Sequence, residues 1–336
     1  MKQKIIYVIT MMIMLSCLLT SCNEQDNELK FPFSADIFYS VDAKQVAFTA
    51  LTHSAVSWDW DFGDGSSSTD QNPVHVYEDG GYYVANLTAL DADGNTISKE
   101  VKLAIELTPY SLLTGDYTME GYNGKTWKLT ASHSVNDILA NSDASFSLLD
   151  EDIESLPTGA FDMYLQLPEA YNDEFTFYYN GDYRQNTTDG SSFGGVVYAM
   201  MLQQLGLTSI VKTGGKAVFG ADVFALSTFN PDDNATFNLI ENEDFVIPTI
   251  PDFATSVLPS GVPAITYPGV MTLEFSGSSA FIGIRDFHRK VIVQHLTDNS
   301  MRLAMFLTLS PDAIISQDPL IALSTTAVIL TFSVVN

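Results

Sequence analysis

The chain has 336 residues, of which 41 are Asp or Glu and 15 are Lys or Arg, so its formal net charge at neutral pH is −26. Binding a phosphate backbone takes clustered cations, and this charge therefore argues against nucleic acid as a partner. Charged residues make up 17% and aromatic residues 12% of the chain, which is typical of a folded protein, and the length suits two domains.

The N-terminal segment predicts export. Lys2 and Lys4 precede an uncharged stretch at residues 5–19, which suits a secretory signal because crossing a bilayer takes roughly twenty apolar residues. The stretch ends in LTSC at residues 19–22, which resembles the lipobox of bacterial lipoproteins. The resemblance implies that residues 1–21 are a signal peptide and that Cys22 becomes the lipidated N-terminus, carrying fatty acyl chains such as palmitate. A plain signal peptide with an incidental cysteine is the alternative.

Residues 22–31 form a short acidic tether, with the sequence NEQDNE directly after Cys22. It resembles the acidic export signal of surface-exposed lipoproteins in the Bacteroidetes group. The resemblance implies an outer-membrane anchor and a chain that faces the exterior, and several acyl chains make such an anchor stable. A solvated linker without a sorting role is the alternative.

Residues 32–106 predict a small β-sandwich, because apolar side chains alternate along short strands. Examples are Val46, Phe48 and Ala50, then Val56, Trp58, Trp60 and Phe62, and later Tyr83, Ala85, Leu87 and Ala89. The motifs WDFGDG, HVY, GYY and DADG follow one another in this stretch. In this order they resemble a PKD domain, an immunoglobulin-like module named after the polycystic kidney disease protein.

We interpret the PKD motif as structural. Gly63 and Gly65 give the backbone freedom for a tight turn, and Asp61 and Asp64 can accept hydrogen bonds from amides within it. The motif residues are Trp60, Asp61, Phe62, Gly63, Asp64, Gly65, His75, Tyr77, Gly81 and Tyr83.

The run DADGN at residues 91–95 contains two aspartates and could be a calcium-binding loop. An EF-hand loop needs Glu eleven residues after its first Asp, and that position is Lys102. The EF-hand interpretation therefore fails, and weak calcium binding by the clustered aspartates stays open. No metal site and no cofactor are predicted.

Residues 107–336 predict a larger antiparallel β-sandwich or jelly roll, so the whole protein is expected to be all-β. An Asn180-Gly181 turn between two strand patterns indicates a hairpin. Residues 195–207 fit either a helix or a buried strand. Further strands are expected at residues 125–131, 174–179, 235–239, 270–275, 291–296, 302–309 and 327–334.

Parts of this region, at residues 124–129, 175–181, 281–284 and 291–298, resemble the C-terminal portion of Bacteroidetes PKD lipoproteins. The resemblance implies a link to polysaccharide uptake. Sugar rings stack on flat aromatic faces, and the candidates for that role are Trp127, Tyr178, Tyr179 and Tyr183, with Tyr117, Tyr122 and Tyr171 as further exposed-tyrosine candidates. Trp127 shares a strand face with Leu129, which favours a core position for it, whereas one of the consecutive Tyr178 and Tyr179 must point away from the core.

Enzymatic patterns are incomplete, and no catalytic residue is predicted. The sequence GSSFG around Ser192 fits G-x-S-x-G, with Asp286 and His288 downstream, but the surroundings lack a parallel α/β sheet. Glu241 and Glu243 alternate, but Phe245 takes the place of a third acid. The expected function is a non-catalytic surface lipoprotein that binds extracellular polysaccharide. The alternatives are a structural or adhesive protein with protein partners and, less favoured, a glycoside hydrolase or esterase. Nothing indicates the oligomeric state.

Overall fold

The computed structural model describes residues 32–150, 155–249, 263–277, 279–317 and 320–335. The predicted signal peptide, the lipidation at Cys22 and the tether at 22–31 lie outside the described residues. Within the described ranges, no helix has both the length and the apolar character needed to cross a membrane. Backbone contacts divide the described chain into two compact units, residues 32–76 with 84–101 and residues 77–83 with 102–335. The predicted boundary at residue 107 stays a prediction.

The N-terminal strands form two antiparallel sheets, with the orders β1-β2-β5 and β4-β3-β6-β7. The strands are β1 Ser34–Asp42, β2 Gln45–His53, β3 Ala55–Asp61, β4 Ser67–Ser68, β5 Val74–Val76, β6 Gly81–Asp91 and β7 Thr96–Ile105. The alternation predicted for β2 and β6 is confirmed, because Val46, Phe48 and Ala50, and likewise Ala85, Leu87 and Ala89, are buried.

The inward face predicted for β3 is correct only at its C-terminal end. Trp60 and Phe62 are buried, but Val56 is exposed and Trp58 is half-buried. The pairing of β3 with β6 shifts register between Ala55 and Ser57. This irregularity breaks the period-two pattern at the start of the strand.

The rest of the chain is also mainly β. Its strands are β8 Lys125–Leu129, β9 Ile138–Ala140, β10 Glu174–Phe177, β11 Tyr183–Asn186, β12 Ser191–Gly195, β13 Ile210–Gly214, β14 Phe224–Thr228, β15 Thr236–Pro248, β16 Ala264–Ser276, β17 Val291–Leu296, β18 Ser300–Leu307, β19 Ile314–Gln317, β20 Leu320–Ala322 and β21 Thr326–Val334. The helices are α1 Pro109–Thr114, α2 Ala160–Met163, α3 Val196–Gln204 and α4 Lys216–Phe219, with 3-10 turns at Pro168–Tyr171 and Pro311–Ala313.

One antiparallel sheet of nine strands dominates this region, in the order β11-β10-β8-β21-β18-β17-β16-β15, with β9 also paired to β21. A second sheet has the order β12-β14-β13, and β19 pairs with β20. The predicted all-β fold, a PKD-type module followed by a larger antiparallel β domain, is thus confirmed.

The large sheet curls until its first and last strands meet. The amide of Tyr183 in β11 donates to the carbonyl of Ala235 at 2.9 Å, and the amide of Phe237 in β15 donates to the carbonyl of Gly181 at 3.1 Å. Aromatic side chains fill the inside of the curl, among them Trp127, Phe175, Phe177, Tyr183, Phe275 and Phe332, all buried.

The ambiguous segment at residues 195–207 begins with a helix, α3. It ends in a glycine-based cap, because Gly206 has a φ of 71°, and the amide of Leu207 donates back to the carbonyl of Leu202 at 2.9 Å. Such caps are a common way to end a helix. Val196, Val197 and Ala199 of this helix pack in a small cluster with Ala225 of β14.

Candidate functional site

The structure separates the four predicted ligand-binding aromatics into two groups. Trp127 and Tyr183 are each 0% exposed. Trp127 Nε1 donates to the carbonyl of Leu113 at 2.9 Å, and the Tyr183 hydroxyl donates to the carbonyl of Phe281 at 2.6 Å. Neither ring has a face open to a sugar, so both candidates are corrected to core residues. They belong to the inward face of the curled sheet, because Trp127 pairs with buried Phe175 and Tyr183 with buried Phe177.

Tyr178 and Tyr179 lie in the turn between β10 and β11. The turn closes through the amide of Tyr178, which donates to the carbonyl of Asp182 at 3.0 Å, and Gly181 takes a φ of 89°. Tyr178 is half-buried, whereas Tyr179 is 39% exposed. The turn therefore presents one of the two predicted tyrosines to solvent.

Tyr179 belongs to a group of aromatic side chains that we call the tyrosine cluster, made of Tyr110, Tyr117, Tyr122 and Tyr179. The rings of Tyr117 and Tyr179 stack with centroids 4.0 Å apart and 26° between their planes. Tyr110 meets Tyr179 edge-on at 5.6 Å. Tyr117 is 36% exposed, so the stacked pair forms an aromatic surface that solvent reaches.

Hydrogen bonds to the backbone hold the cluster in place. The Tyr110 hydroxyl donates to the carbonyl of Tyr179 at 2.8 Å. The Tyr122 hydroxyl accepts from the amide of Tyr179 at 2.9 Å and donates to the carbonyl of Thr114 at 2.9 Å. Both peptide groups of Tyr179 are therefore fixed by phenols from a distant part of the chain.

Helix α1 positions Tyr110 and Thr114 for these contacts. Thr108 caps its N-terminus, accepting from the amide of Ser111, and proline at the first helical position needs no amide partner. The amide of Gly115 closes the C-terminus on the carbonyl of Ser111 at 2.9 Å. Tyr110 was not among the residues predicted from the sequence, although the Thr-Pro pair before it is a helix-start signal.

A groove of about 480 Å³ lies beside the tyrosine cluster. Lys125 Nζ bonds Asp298 Oδ1 at 2.9 Å and the carbonyl of Leu112 at 2.8 Å. The side chains that line the groove include Asp116, Met119, Tyr122, Lys125, Asp298 and Asn299. An aromatic ring, amide and carboxylate oxygens thus line one concave surface.

The hydroxyls of Tyr110, Tyr117 and Tyr122 stay protonated at neutral pH. Burial raises the pKa of Tyr110, Tyr117 and Tyr122, and the neighbouring Tyr179 adds to the rise. In the case of Tyr122, the hydrogen bond from the Tyr179 amide acts in the opposite direction. These three phenols therefore act as neutral donors and as apolar faces, the combination that suits an amphipathic ligand.

The WDFGDG motif forms a tight turn. The amide of Gly63 donates to Asp61 Oδ1 at 2.9 Å, and the amide of Ser66 donates to Asp64 Oδ1 at 2.9 Å. Gly63 and Gly65 have φ values of 80° and 88°. A side chain on Gly63 would also lie 2.4 Å from the carbonyl oxygen of Val84, so this position requires glycine.

His75 joins this turn to the domain core. Its Nε2 lies 2.6 Å from Asp64 Oδ2, and its ring stacks on Phe62 with centroids 4.2 Å apart. Burial alone would raise the pKa of Asp64, but hydrogen bonds from Ser66 and His75 outweigh it and the net pKa is lowered. Buried Trp60 donates through Nε1 to the carbonyl of Asp70 at 3.1 Å.

The remaining aromatic residues of the motif pack together. Tyr77 is buried and its ring lies 4.3 Å from that of half-buried Tyr83. The buried Gly81 opens β6 with a φ of 157°. These contacts give the motif residues packing roles.

The DADGN run is organised by its first aspartate. Asp91 Oδ1 accepts from the amides of Asp93 at 2.9 Å and Asn95 at 2.8 Å, and its Oδ2 accepts from Asn95 Nδ2 at 2.9 Å. In the part of the chain that the structure describes, no three His, Cys, Asp or Glu side chains are grouped so that they could hold a metal ion.

The structure also shows where the residues of the two enzymatic patterns lie. Ser192 is the second residue of β12 and fully buried, and its Oγ has no hydrogen-bond partner among the described residues. A nucleophile elbow would instead expose the serine at a turn next to a base. Glu243 Oε1 is held by Lys290 Nζ at 2.6 Å and also bonds Thr272, while Glu241 is exposed.

Comparison with known sequences identifies the N-terminal module. The PKD domain family model matches residues 40–105, and these residues form a PKD domain. Collagenase ColA of Bacillus cereus strain ATCC 14579 is 39% identical over 54 residues, which is 16% of this chain and 6% of the collagenase. Collagenase ColQ1 of Bacillus cereus strain Q1 is 45% identical over 51 residues, 15% of this chain and 5% of the collagenase. The chain thus aligns with only a small fraction of these relatives.

Solved structures show similarity to both parts of the chain. The PKD1 domain of Vibrio anguillarum Epp is 27% identical, covering 23% of this chain and 98% of its own, with a TM-score of 0.22. The PKD1 domain of the Vibrio cholerae metalloprotease PrtV is 25% identical, covering 23% and 100%, with a TM-score of 0.22. A carbohydrate-binding module of the β-sandwich superfamily covers 90% of this chain and 91% of its own at 13% identity and a TM-score of 0.23. At this identity and TM-score the likeness assigns no ligand to this chain.

Proposed function

We propose that this protein is a non-catalytic lipoprotein, anchored to the outer membrane through Cys22 and facing the exterior, that binds extracellular polysaccharide through the tyrosine cluster. The observation that carries the proposal is Tyr179. Its ring is 39% exposed, while hydrogen bonds from Tyr110 and to Tyr122 fix its backbone.

A fixed aromatic surface suits a sugar for two reasons. The C–H-rich face of a pyranose stacks on an aromatic ring, which removes apolar surface from water. Side chains that are already ordered lose little conformational entropy when the ligand arrives. The adjoining groove adds hydrogen-bonding groups from Asp298 and Asn299, and a few placed polar groups beside an apolar surface are typical of binding sites.

The test replaces one exposed tyrosine at a time in the detergent-solubilised full chain. Tyr179→Ala removes the central ring of the cluster, and Tyr164→Ala removes a tyrosine of similar exposure, 41%, outside it. Native gels containing xylan, mannan, β-glucan or starch measure binding as retardation. We expect Tyr179→Ala to weaken retardation at least tenfold and Tyr164→Ala to leave it unchanged. Wild-type protein that none of the polysaccharides retards would overturn the proposal.

The anchor has a separate test. We expect mass spectrometry of the native protein to find a diacylglyceryl group on Cys22. A Cys22→Ala variant should leave the membrane fraction in buffer without detergent, because the protein without acyl chains is not stably anchored in the bilayer. Native protein with an unmodified Cys22 would contradict this part of the proposal.

Adhesion to proteins is a second candidate function, favoured by the PKD domain. The sheet β1-β2-β5 presents apolar side chains to solvent on one face: Phe38 is 68% exposed, Val74 61%, Val76 60% and Leu51 50%. Contiguous exposed apolar surface often marks an interaction site.

The adhesive function is tested with beads that carry the full chain on surfaces coated with collagen, fibronectin or laminin. We expect Val74→Ser to reduce adhesion and Val211→Ser, which changes a valine of equal exposure, 62%, to have no effect. Equal adhesion by the two variants and the wild type would reject this candidate.

A further inference from the structure

We infer that the ligand of the tyrosine cluster is an uncharged polysaccharide, and that the groove beside the cluster rejects polymers that carry uronate or sulfate groups. This inference rests on the proposed function and specifies its ligand class. Among the residues that the structure describes, the carboxylates that line the groove are those of Asp116 and Asp298, and the ammonium group is that of Lys125.

Lys125, the cation among the described residues that line the groove, already has two partners. Lys125 Nζ contacts Asp298 Oδ1 at 2.9 Å and the carbonyl of Leu112 at 2.8 Å. Its side chain is only 10% exposed, whereas that of Asp298 is 78% exposed. An incoming anion would therefore meet the carboxylate before it could reach the ammonium group.

Two further carboxylates lie near the cluster along the chain. Glu120 is exposed in the segment between Tyr117 and Tyr122, and Asp182 lies in the turn that carries Tyr179, where its Oδ2 accepts from Asn180 Nδ2 at 3.1 Å. The neighbouring cation, Arg184, bonds the carbonyl of Tyr183 through Nη1 at 3.0 Å. Burial, Tyr179 and Asp116 together raise the pKa of Tyr117, so the Asp116 carboxylate acts on the stacked rings and on a sugar bound to them, within a screening length of about 8 Å at physiological ionic strength.

Carboxylates and neutral sugars are complementary. A carboxylate accepts hydrogen bonds from hydroxyl groups, and such charge-assisted bonds are stronger than neutral ones. A uronate or sulfate group offers no hydrogen to these acceptors and is repelled by them. The net charge of −26 for the chain adds a long-range repulsion that slows the approach of polyanions.

The test compares polymers that differ mainly in charge. Fully methyl-esterified homogalacturonan and its de-esterified form share one backbone, and the ester removes the charge. The other neutral polymers tested are xylan, mannan, β-glucan and starch. The other acidic polymers tested are alginate, hyaluronate and heparin. Binding of the detergent-solubilised full chain is measured by gel retardation at 150 mM salt.

We expect the tightest neutral polymer to bind at least tenfold more tightly than any acidic one. An acidic polymer that binds as tightly as the best neutral polymer, with loss on Tyr179→Ala, would overturn the inference and leave the proposed function standing. If no polymer of either group binds, the proposed function itself fails.

A charge variant isolates the groove. Asp298→Asn removes a carboxylate and takes the ion pair from Lys125, whose ammonium keeps its bond to the carbonyl of Leu112, so we expect binding of acidic polymers to rise at least threefold relative to neutral ones. Asp233→Asn makes the same change at an exposed residue outside the groove and should leave that ratio unchanged. Equal ratios in Asp298→Asn and the wild type would show that the groove does not set the selectivity.

Discussion

His133 Nδ1 lies 2.9 Å from Asp137 Oδ2, and both side chains are completely buried. On the other side of the ring, His133 Nε2 lies 2.7 Å from the Tyr171 hydroxyl. The contacts suit an imidazole that donates from Nδ1 to the carboxylate and accepts from the phenol at Nε2. Asp137 Oδ1 also accepts from Thr331 Oγ1 at 2.6 Å, so the network ties three distant segments of the large domain together.

Removing the imidazole should destabilise the large domain strongly. His133→Ala leaves the buried Asp137 carboxylate and the Tyr171 hydroxyl without their common partner, and a break of this kind in a buried network costs about 3 kcal/mol. Urea unfolding measures the loss.

His295→Ala is the matched control, because His295 is exposed and surface substitutions usually change stability by less than about 0.5 kcal/mol. Equal midpoints for the two variants would show that the network contributes nothing to stability.

Asp286 gives a prediction about pH. Its side chain is 1% exposed, and burial raises the pKa of its carboxyl to about 8, although hydrogen bonds from Phe287 and Thr308 oppose the rise. The folded state therefore keeps a proton that the unfolded chain releases near pH 4. The stability that this proton contributes is complete below pH 4 and is lost as the pH rises toward 8.

Asp286→Asn carries no such proton, so its free energy of unfolding should improve relative to the wild type between pH 4 and pH 8. The expected slope is about 1.4 kcal/mol per pH unit over that window, measured by denaturation at each pH. A constant difference between the two proteins would contradict the assignment.

For Asp137 we expect the opposite pH dependence of the free energy of unfolding, measured by the same denaturation experiment at each pH. Burial would raise the pKa of Asp137, but hydrogen bonds from His133, Ser134 and Thr331 outweigh it and lower the pKa. Its contribution is present above the unfolded pKa and is lost as the pH falls through the lower folded value. Asp137→Asn should therefore cost more at neutral pH than in acid.

Strand positions were the part of the fold that the sequence predicted best. Residues 291–296 were expected as a strand and form β17 with the same bounds, and β21 begins one residue before its expected start. Alternation of apolar side chains indicates which face of a strand is buried against the core. It does not indicate curvature, and therefore nothing in the sequence predicted that β11 would meet the start of β15, where Tyr183 bonds Ala235 directly before that strand.

The candidate site was predicted in part, for a related reason. Aromatic residues on a strand look the same in sequence whether they face a core or a ligand, so Trp127 stayed a candidate beside Tyr179, although its strand face favoured the core, until burial separated them. Tyr110 was missed because its role depends on a contact with Tyr179, which is 69 residues away. Such long-range contacts leave no periodic signal.

Two glycines near the site allow a matched test of backbone crowding. Gly121 and Gly124 both have a φ of 77°. A Cβ on Gly121 would meet nothing within 4 Å, whereas one on Gly124 would lie 2.6 Å from Thr176 Cγ2 and 3.0 Å from the carbonyl oxygen of Phe177. The two positions thus share the conformational cost of a left-handed alanine, about 1–2 kcal/mol, and differ in the clash.

We expect Gly124→Ala to destabilise the protein by about 2 kcal/mol more than Gly121→Ala. Because the clash falls on the strand that leads into Tyr178 and Tyr179, Gly124→Ala should also weaken polysaccharide retardation, while Gly121→Ala should not. Thermal unfolding and gel retardation report the two effects separately. Equal stability of the two variants would mean that the strand moves aside at no cost.

Trp127 distinguishes a core aromatic from a binding aromatic. Trp127→Phe leaves the carbonyl of Leu113 without its 2.9 Å hydrogen bond and opens a small cavity beside Phe175, changes that together cost about 2–3 kcal/mol. The ring has no open face, so retardation by polysaccharide should match the wild type at temperatures where both proteins are folded. Tyr179→Ala should show the reverse, with binding lost and stability nearly retained. Loss of polysaccharide binding in the folded Trp127→Phe variant would contradict the core assignment and show that Trp127 takes part in ligand binding.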